Sequence, residues 1–107
     1  MIHPATQGPR ERAALSRLRQ IFNEYGLLRA NCVKRRHTCG RDYCRCASST
    51  KHLHLSWYAS QSRKGKLRSK YIPPDRVTEV RQWVARYQEA RRLLMALGDA
   101  FWDRIVS

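Results

Sequence analysis

Three cysteines within eight residues constrain the fold of this chain more than any other feature of its sequence. The stretch runs CGRDYCRC, from Cys39 through Cys44 to Cys46. Zinc takes about four thiolate or imidazole ligands in a tetrahedron, and three thiols on one tight turn supply most of such a set. The sequence therefore predicts a structural zinc site with Cys39, Cys44 and Cys46 among its ligands.

The fourth ligand has three candidates. His52 is preferred, because five residues separate it from Cys46 and it precedes a predicted strand, so that the chain can fold back onto the site. His54 and Cys32 are the alternatives, and Cys32 would make the site all-cysteine. A disulfide and a redox-switching set of thiols beside the arginines stay open as other interpretations. The metal site is favoured over both, because a sheet this small cannot be stabilised by burial alone.

Hydrophobic periodicity predicts an α+β fold. Apolar residues recur at helical spacing in residues 9–26, and a longer helical stripe fills residues 74–106, after two prolines. Between them, residues 30–73 contain two segments of alternating polarity and a weaker one ahead of the cysteines. We expect an N-terminal helix, a β-hairpin or three-stranded antiparallel sheet carrying the zinc knuckle, and a long C-terminal helix packed on the first. Residues 1–8 are expected to form a flexible tail before a single domain, 9–107.

The same patterns predict which side chains pack. In HLHLSWY, residues 52–58, the leucines and Trp57 share one face, and ASQSRKGK, residues 59–66, is expected to be a hairpin loop. The stripe of the long helix is expected to pack on the first helix, and a seam between two copies is the alternative. The predicted contacts join Trp83, Tyr87, Leu94 and Phe101 to Leu18, Phe22 and Tyr25.

Positive charge is concentrated in the middle of the chain. The net charge is +14, and residues 33–71 hold +10 of it, with eleven Lys or Arg against Asp42 alone. Charge that only kept the protein in solution would be spread more evenly along the chain. This segment is therefore predicted to bind a polyanion, namely nucleic acid. The candidate contact residues are Lys34, Arg35, Arg36, Arg45, Arg63, Lys64, Lys66, Arg68 and Lys70.

The sequence does not favour an enzyme or a membrane protein. The basic segment has no cluster of carboxylates to hold a catalytic Mg²⁺, and the H-x-E signature of zinc deaminases is missing, so we do not expect an enzyme. The opening MIHPATQGPR has no apolar signal region, and no window approaches the ~18 apolar residues of a membrane span. We expect a cytoplasmic, nucleoid-associated protein that does not contact membranes.

The order of motifs resembles a bacterial family of small basic proteins with a domain of unknown function. Its pattern is C-G-x3-C-x-C, a His, L-S-W, Y-[IV]-P and V-R-x-W. The matching residues are Cys39-Gly40, Cys44, Cys46, His52, Leu55-Ser56-Trp57, Tyr71-Ile72-Pro73 and Val80-Arg81-Gln82-Trp83. The resemblance implies a zinc-knuckle fold. The family's association with mobile-element and recombinase genes implies a function in DNA processing.

Two functions follow as expectations. The first is a zinc-stabilised nucleic-acid-binding protein, with DNA ahead of RNA, that serves as an accessory factor of a larger DNA-processing or mobile-element recombination complex. The second is a protein-interaction adaptor whose helices bind a recombinase, transposase or polymerase and whose basic face only follows that partner onto nucleic acid. The protein is expected to be a monomer or a homodimer through the long helix.

Overall fold

The fold consists of two helices with a three-stranded antiparallel sheet between them in the chain. The structure is a computed structural model that describes residues 8–105. The elements are α1 (Pro9–Asn23), β1 (Asn31–His37), β2 (His54–Arg63), β3 (Lys66–Ile72) and α2 (Val77–Asp103). The predicted fold class and the order of its elements are confirmed. Residues 1–7 of the predicted tail, and residues 106–107, lie outside the described residues.

The molecule is elongated, with extents of 70 × 29 × 21 Å. At 1.5 Å per residue the 27 residues of α2 span about 40 Å, so this helix runs past the sheet and along α1. α1 ends at Asn23, three residues earlier than predicted, and a short 3₁₀ turn at Pro74–Arg76 precedes α2. Within the described residues, neither helix is long and apolar enough to cross a membrane.

The central strand of the sheet is β2. Its pairing with β1 ends at His37↔His54, and its pairing with β3 ends at Arg63↔Lys66, so the cysteine loop and the hairpin turn lie at opposite ends of the sheet. The hairpin is tighter than predicted, because most of residues 59–66 belong to the strands. Only Lys64 and Gly65 form the turn, and their φ angles of 52° and 78° are the positive values that a type I′ turn requires.

The alternation of side chains along β3 does not by itself show which of its two faces is buried. Ile72, which shares a face with Lys70, is buried, whereas Leu67 is 70% exposed and Tyr71 is 55% exposed. Trp57 is paired with Ile72, so both point to the face that α2 covers. Leu55, expected beside Trp57 on the buried face, is also exposed, because it lies near the end of the sheet that carries the cysteine loop.

The core of the helical pair differs in part from the predicted one. Its buried members are Leu18 and Ile21 of α1 and Ala90 and Leu97 of α2, with Ala14, Leu15 and Leu93 packed around them. The predicted contact residues Phe22, Leu94 and Phe101 are instead exposed. The helical stripe is wide enough to include both Leu93 and Leu94, and α1 packs on the side of Leu93. The prediction that Leu94 anchors this core is therefore wrong.

Alanine substitutions at Ile21 and Leu94 should differ sharply in their effect on the free energy of unfolding. We expect Ile21→Ala, at a side chain that is 0% exposed, to lower the free energy of unfolding by about 2–5 kcal/mol, since it leaves a cavity. Leu94→Ala, at 54% exposure, should cost less than about 1 kcal/mol. Chemical denaturation measures both values. A larger cost at Leu94 would mean that this face of α2 is buried against a second copy.

The link between α1 and β1 packs against Trp83 of α2. The backbone N–H of Leu28 donates to the Trp83 carbonyl at 3.2 Å, and the rings of Tyr25 and Trp83 meet edge to face at 5.8 Å. Gly26 lies directly on the indole with a φ of 101°. A Cβ at this position would come within 2.0 Å of Trp83 Cδ1, so only glycine fits here without displacement.

Candidate metal centre and basic surface

Four side chains converge where the sheet meets the cysteine loop. The ligand atoms of Cys39, Cys44, Cys46 and His54 all lie within 4.8 Å of one another. The Cys39 and Cys46 sulfurs are 3.6 Å apart, and Cys44 Sγ lies 3.4 Å from His54 Nε2. All four cysteines of the chain are free thiols. The group therefore offers three sulfur ligands and one nitrogen ligand to a metal ion, and the structure contains no disulfide among the described cysteines.

Short backbone turns bring these residues together. The N–H of Cys44 donates to the Arg41 carbonyl at 3.2 Å, and Cys46 lies in a single 3₁₀ turn, Arg45–Ala47. Another 3₁₀ turn at Thr50–His52 leads into β2, where His54 is the first residue. Between the end of β1 and the start of β2, Cys46 is the one buried residue, at 3% exposure. The loop therefore has almost no apolar core of its own.

The structure selects one of the alternatives for the fourth ligand. His54 belongs to the group, whereas His52, the preferred candidate from the sequence, does not. The reason is local: His52 ends a 3₁₀ turn, while His54 is held opposite His37 by the last pair between β1 and β2. Cys32 is paired with Ala59 further along the sheet, so it is separated from the cluster by the length of β1.

The thiols differ in how readily they lose a proton. The backbone N–H of Cys46, the thiols of Cys46 and Cys39, and the charge of Arg41 together lower the pKa of Cys44, outweighing desolvation. At Cys46 the N–H of Cys39 lowers the pKa, but burial and the neighbouring thiols outweigh it, so the pKa is raised. Metal coordination requires thiolates, so the lowered pKa of Cys44 favours the coordinating form of that thiol, whereas the raised pKa of Cys46 opposes it.

The histidine beside the cluster has a supporting position. The sequence favours a surface position for His37, but this residue is half-buried and is not in the ligand group. Its Nε2 lies 2.6 Å from Ser56 Oγ and its Nδ1 lies 2.9 Å from the Thr38 carbonyl oxygen. Its ring centroid is 5.9 Å from that of His54. His37 therefore packs beside the candidate ligand and is held in place by Ser56 of the ligand's own strand, β2.

All nine predicted nucleic-acid contact residues are exposed, but they lie in three places. Arg45 is in the cysteine loop, and Lys34, Arg35 and Arg36 are on β1. The remaining five, Arg63, Lys64, Lys66, Arg68 and Lys70, form the hairpin of β2 and β3. We call these five residues the basic hairpin. Four of them share one face of it, since Arg63 is paired with Lys66, and Lys66, Arg68 and Lys70 alternate along β3.

Other cations near these residues were missed. Arg41 and Lys51 are exposed in the cysteine loop, and the charge count of residues 33–71 already contained them. Arg81, on α2, stacks at 4.7 Å over the ring of Trp57, and Lys34 lies 5.7 Å from the same ring. No sequence pattern points to Arg81, because its position depends on how α2 crosses the sheet.

These features define a small α+β protein with a candidate Cys₃His metal centre at one end of its sheet and a basic hairpin at the other. A family model described as Domain of unknown function (DUF6788) matches residues 11–82, about two thirds of the chain. The chain therefore belongs to this family, as the resemblance to an uncharacterised family led us to expect. The match includes all four residues of the candidate metal centre. No curated protein and no solved structure matches the chain.

Proposed function

We propose that this protein is a zinc-stabilised nucleic-acid-binding protein. It would serve as an accessory factor of a larger DNA-processing or mobile-element recombination complex. The zinc ion would be held by Cys39, Cys44, Cys46 and His54 and would tie the loop to the sheet. The basic hairpin and the cations of β1 would contact phosphates.

Two of the distances between ligand atoms in the cluster match those of a zinc site, and the whole group spans no more than 4.8 Å. Tetrahedral zinc with bonds of about 2.3 Å to sulfur and about 2.0 Å to nitrogen brings two sulfurs to about 3.8 Å and a sulfur and a nitrogen to about 3.5 Å. The corresponding separations here are 3.6 Å and 3.4 Å. Four protein ligands fill the tetrahedron and leave no position for a reacting water, which is the arrangement of a structural site.

The observation that carries the nucleic-acid function is the charge of the sheet region. Between Glu24 and Asp75 the sequence contains a single acid, Asp42, and that residue is in the cysteine loop, not on a strand. The exposed cations of the three strands therefore have no carboxylate among them to neutralise their field. Such a surface attracts phosphates and positions a protein on nucleic acid without reading its sequence. Only the resemblance to the bacterial family favours DNA over RNA as the nucleic acid that is bound.

The test compares two variants that each remove three positive charges. The hairpin variant is Lys64→Asn, Lys66→Gln and Lys70→Gln, where asparagine tolerates the positive φ of residue 64. The control is Arg10→Gln, Arg19→Gln and Arg92→Gln, at exposed positions of the helical pair. Fluorescence anisotropy at several salt concentrations should show weaker binding by the hairpin variant to all sequences. The slope of log K against log[salt] is negative, and each phosphate that the protein no longer neutralises makes it shallower by about 0.9 on duplex DNA.

The control should change affinity less, because α1 and α2 together carry eight arginines against five acids, a net charge of +3, whereas residues 33–71 carry +10. A greater loss of affinity in the control than in the hairpin variant would show that the helical pair is the binding surface. Titrations with duplex DNA and duplex RNA of matched sequence decide between the two nucleic acids.

An exposed apolar groove favours the adaptor as the second candidate. Phe22, Leu27, Leu94 and Met95 line it together with Tyr87, Ala90 and Arg91. Phe22, Leu94 and Met95 are each more than half exposed. A helix of a recombinase, transposase or polymerase, or a second copy of α2, would cover this groove by hydrophobic burial. Absence of nucleic-acid binding by the purified protein even at low salt would favour this alternative.

A further inference from the structure

One face of the sheet is left uncovered by the helices. Its members include Val33 and Arg35 of β1, Ser56 and Tyr58 of β2, and Leu67, Ser69 and Tyr71 of β3, and we call these seven residues the open face. These residues share a side because Val33↔Tyr58 and Tyr58↔Tyr71 are paired directly and side chains alternate along each strand. The other face carries Trp57 and Ile72, which lie against α2.

Aromatic and apolar side chains are prominent on the open face. Tyr71 and Leu67 are both more than half exposed, and Tyr58 is half-buried. The two tyrosine rings meet edge to face at 5.8 Å and 67°. Tyr71 therefore keeps much of its ring available to solvent while Tyr58 supports it from the side. Such a ring is a surface on which a flat, apolar group can stack.

A planar cation lies beside these rings. The guanidinium carbon of Arg35 is 5.2 Å from the centre of the Tyr58 ring, and its Nη2 is 3.5 Å from Ser69 Oγ. No Asp or Glu occurs on any of the three strands. The open face thus combines aromatic surface, a guanidinium and hydroxyl groups without any negative charge. Aromatic rings and cations are what a protein uses to hold unpaired bases and their phosphates.

We propose that the open face binds single-stranded nucleic acid, with an unpaired base stacked on Tyr71 and the adjoining phosphate contacted by Arg35. The proposal rests on the proposed nucleic-acid-binding function and names its substrate class. Within a duplex each base is stacked between its neighbours, so its faces are not available to a protein ring until it is unpaired. The protein would therefore bind single strands through stacking in addition to the charge that attracts either form.

The experiment measures the binding of three variants to a fluorescein-labelled 15-nucleotide oligothymidine and to a duplex of the same length. Tyr71→Leu removes the ring, Tyr71→Phe keeps it, and Trp102→Leu removes an exposed aromatic from the far end of α2 as a control. Tyr71→Leu should weaken single-strand binding by about 5- to 100-fold and leave duplex binding within about twofold. Tyr71→Phe and Trp102→Leu should bind both like the parent. Circular dichroism and metal content confirm that each variant is folded.

The outcomes separate the two proposals. If the parent binds both nucleic acids but Tyr71→Leu leaves the single-strand affinity unchanged or weakens both affinities equally, the open face is not a stacking surface and the nucleic-acid function stands. If the parent binds neither nucleic acid, the proposed function itself fails. The salt dependence gives an independent readout. Tyr71→Leu should reduce affinity at every salt concentration without changing the slope of log K against log[salt], whereas the hairpin variant should make that negative slope shallower.

Discussion

Cys46→Ser should abolish metal binding and release the cysteine loop from the sheet. Cys46 is the buried member of the candidate centre, and its sulfur also accepts the backbone N–H of Cys39 at 3.4 Å. The loop has little other packing, so the free energy of metal binding would be the main source of its order. Structural zinc in small domains contributes about 10–16 kcal/mol of apparent binding energy at pH 7.

Two measurements check this prediction. Elemental analysis of protein purified under reducing conditions without chelator should find about one zinc per chain in the parent and none in Cys46→Ser. Hydrogen exchange should show reduced protection in residues 38–54, while the α1–α2 pair keeps most of its protection because it has a separate core. Cys32→Ser is the matched control, since Cys32 lies outside the cluster, and it should retain the metal. A parent purified in this way without zinc contradicts the metal centre.

The histidine ligand can be tested in the same assay. His54→Ala should lose the metal, whereas His52→Ala should retain it, because of these two histidines it is His54 that brings a nitrogen close to Cys44 Sγ. The reverse result would show that the cysteine loop has a different conformation and that His52, not His54, is the fourth ligand. If Cys32→Ser loses the metal and His52→Ala keeps it, the result would instead indicate an all-cysteine site.

The fourth ligand shows what the sequence can predict about the site and what it cannot. Three thiols on one turn are close together in almost any conformation of so short a segment, so their proximity follows from spacing alone. The histidine is different, because its position depends on the register of β1 with β2. That register places His54 opposite His37, and it is set by the packing of the whole sheet.

The faces of the sheet and of α2 illustrate the same limit. Alternation along β3 correctly divides its residues into two sets, but it does not say which set is inside. Ile72 is buried because α2, which begins five residues later at Val77, folds back over that face, which leaves Tyr71 exposed. Likewise, the helical stripe of α2 contains both Leu93 and Leu94, and the position of α1 decides between them. Periodicity therefore predicts elements well and contacts between them poorly.

Gly26→Ala should destabilise the fold strongly. A Cβ at this position would lie 2.0 Å from both Cδ1 and Nε1 of Trp83 and 2.7 Å from Cε2, and the φ of 101° is itself unfavourable for alanine. The left-handed backbone costs about 1–2 kcal/mol. Displacement of the indole adds about 1–3 kcal/mol, because an overpacked site forces side chains from their preferred positions. We expect a total loss of about 2–5 kcal/mol in the free energy of unfolding, measured by chemical denaturation.

Gly65→Ala provides a matched control, because that residue has a φ of 78° and no neighbouring atom within 4 Å of a Cβ. Gly65→Ala should lower the free energy of unfolding only by the cost of the left-handed backbone, about 1–2 kcal/mol. The contribution of the indole is isolated by repeating Gly26→Ala in a Trp83→Ala background. There the clash is absent, so the glycine substitution should cost about as much as it does at Gly65. An equal cost of Gly26→Ala with and without the indole would show that Trp83 does not pack on this link. The junction between the helical pair and the sheet would then need a different explanation.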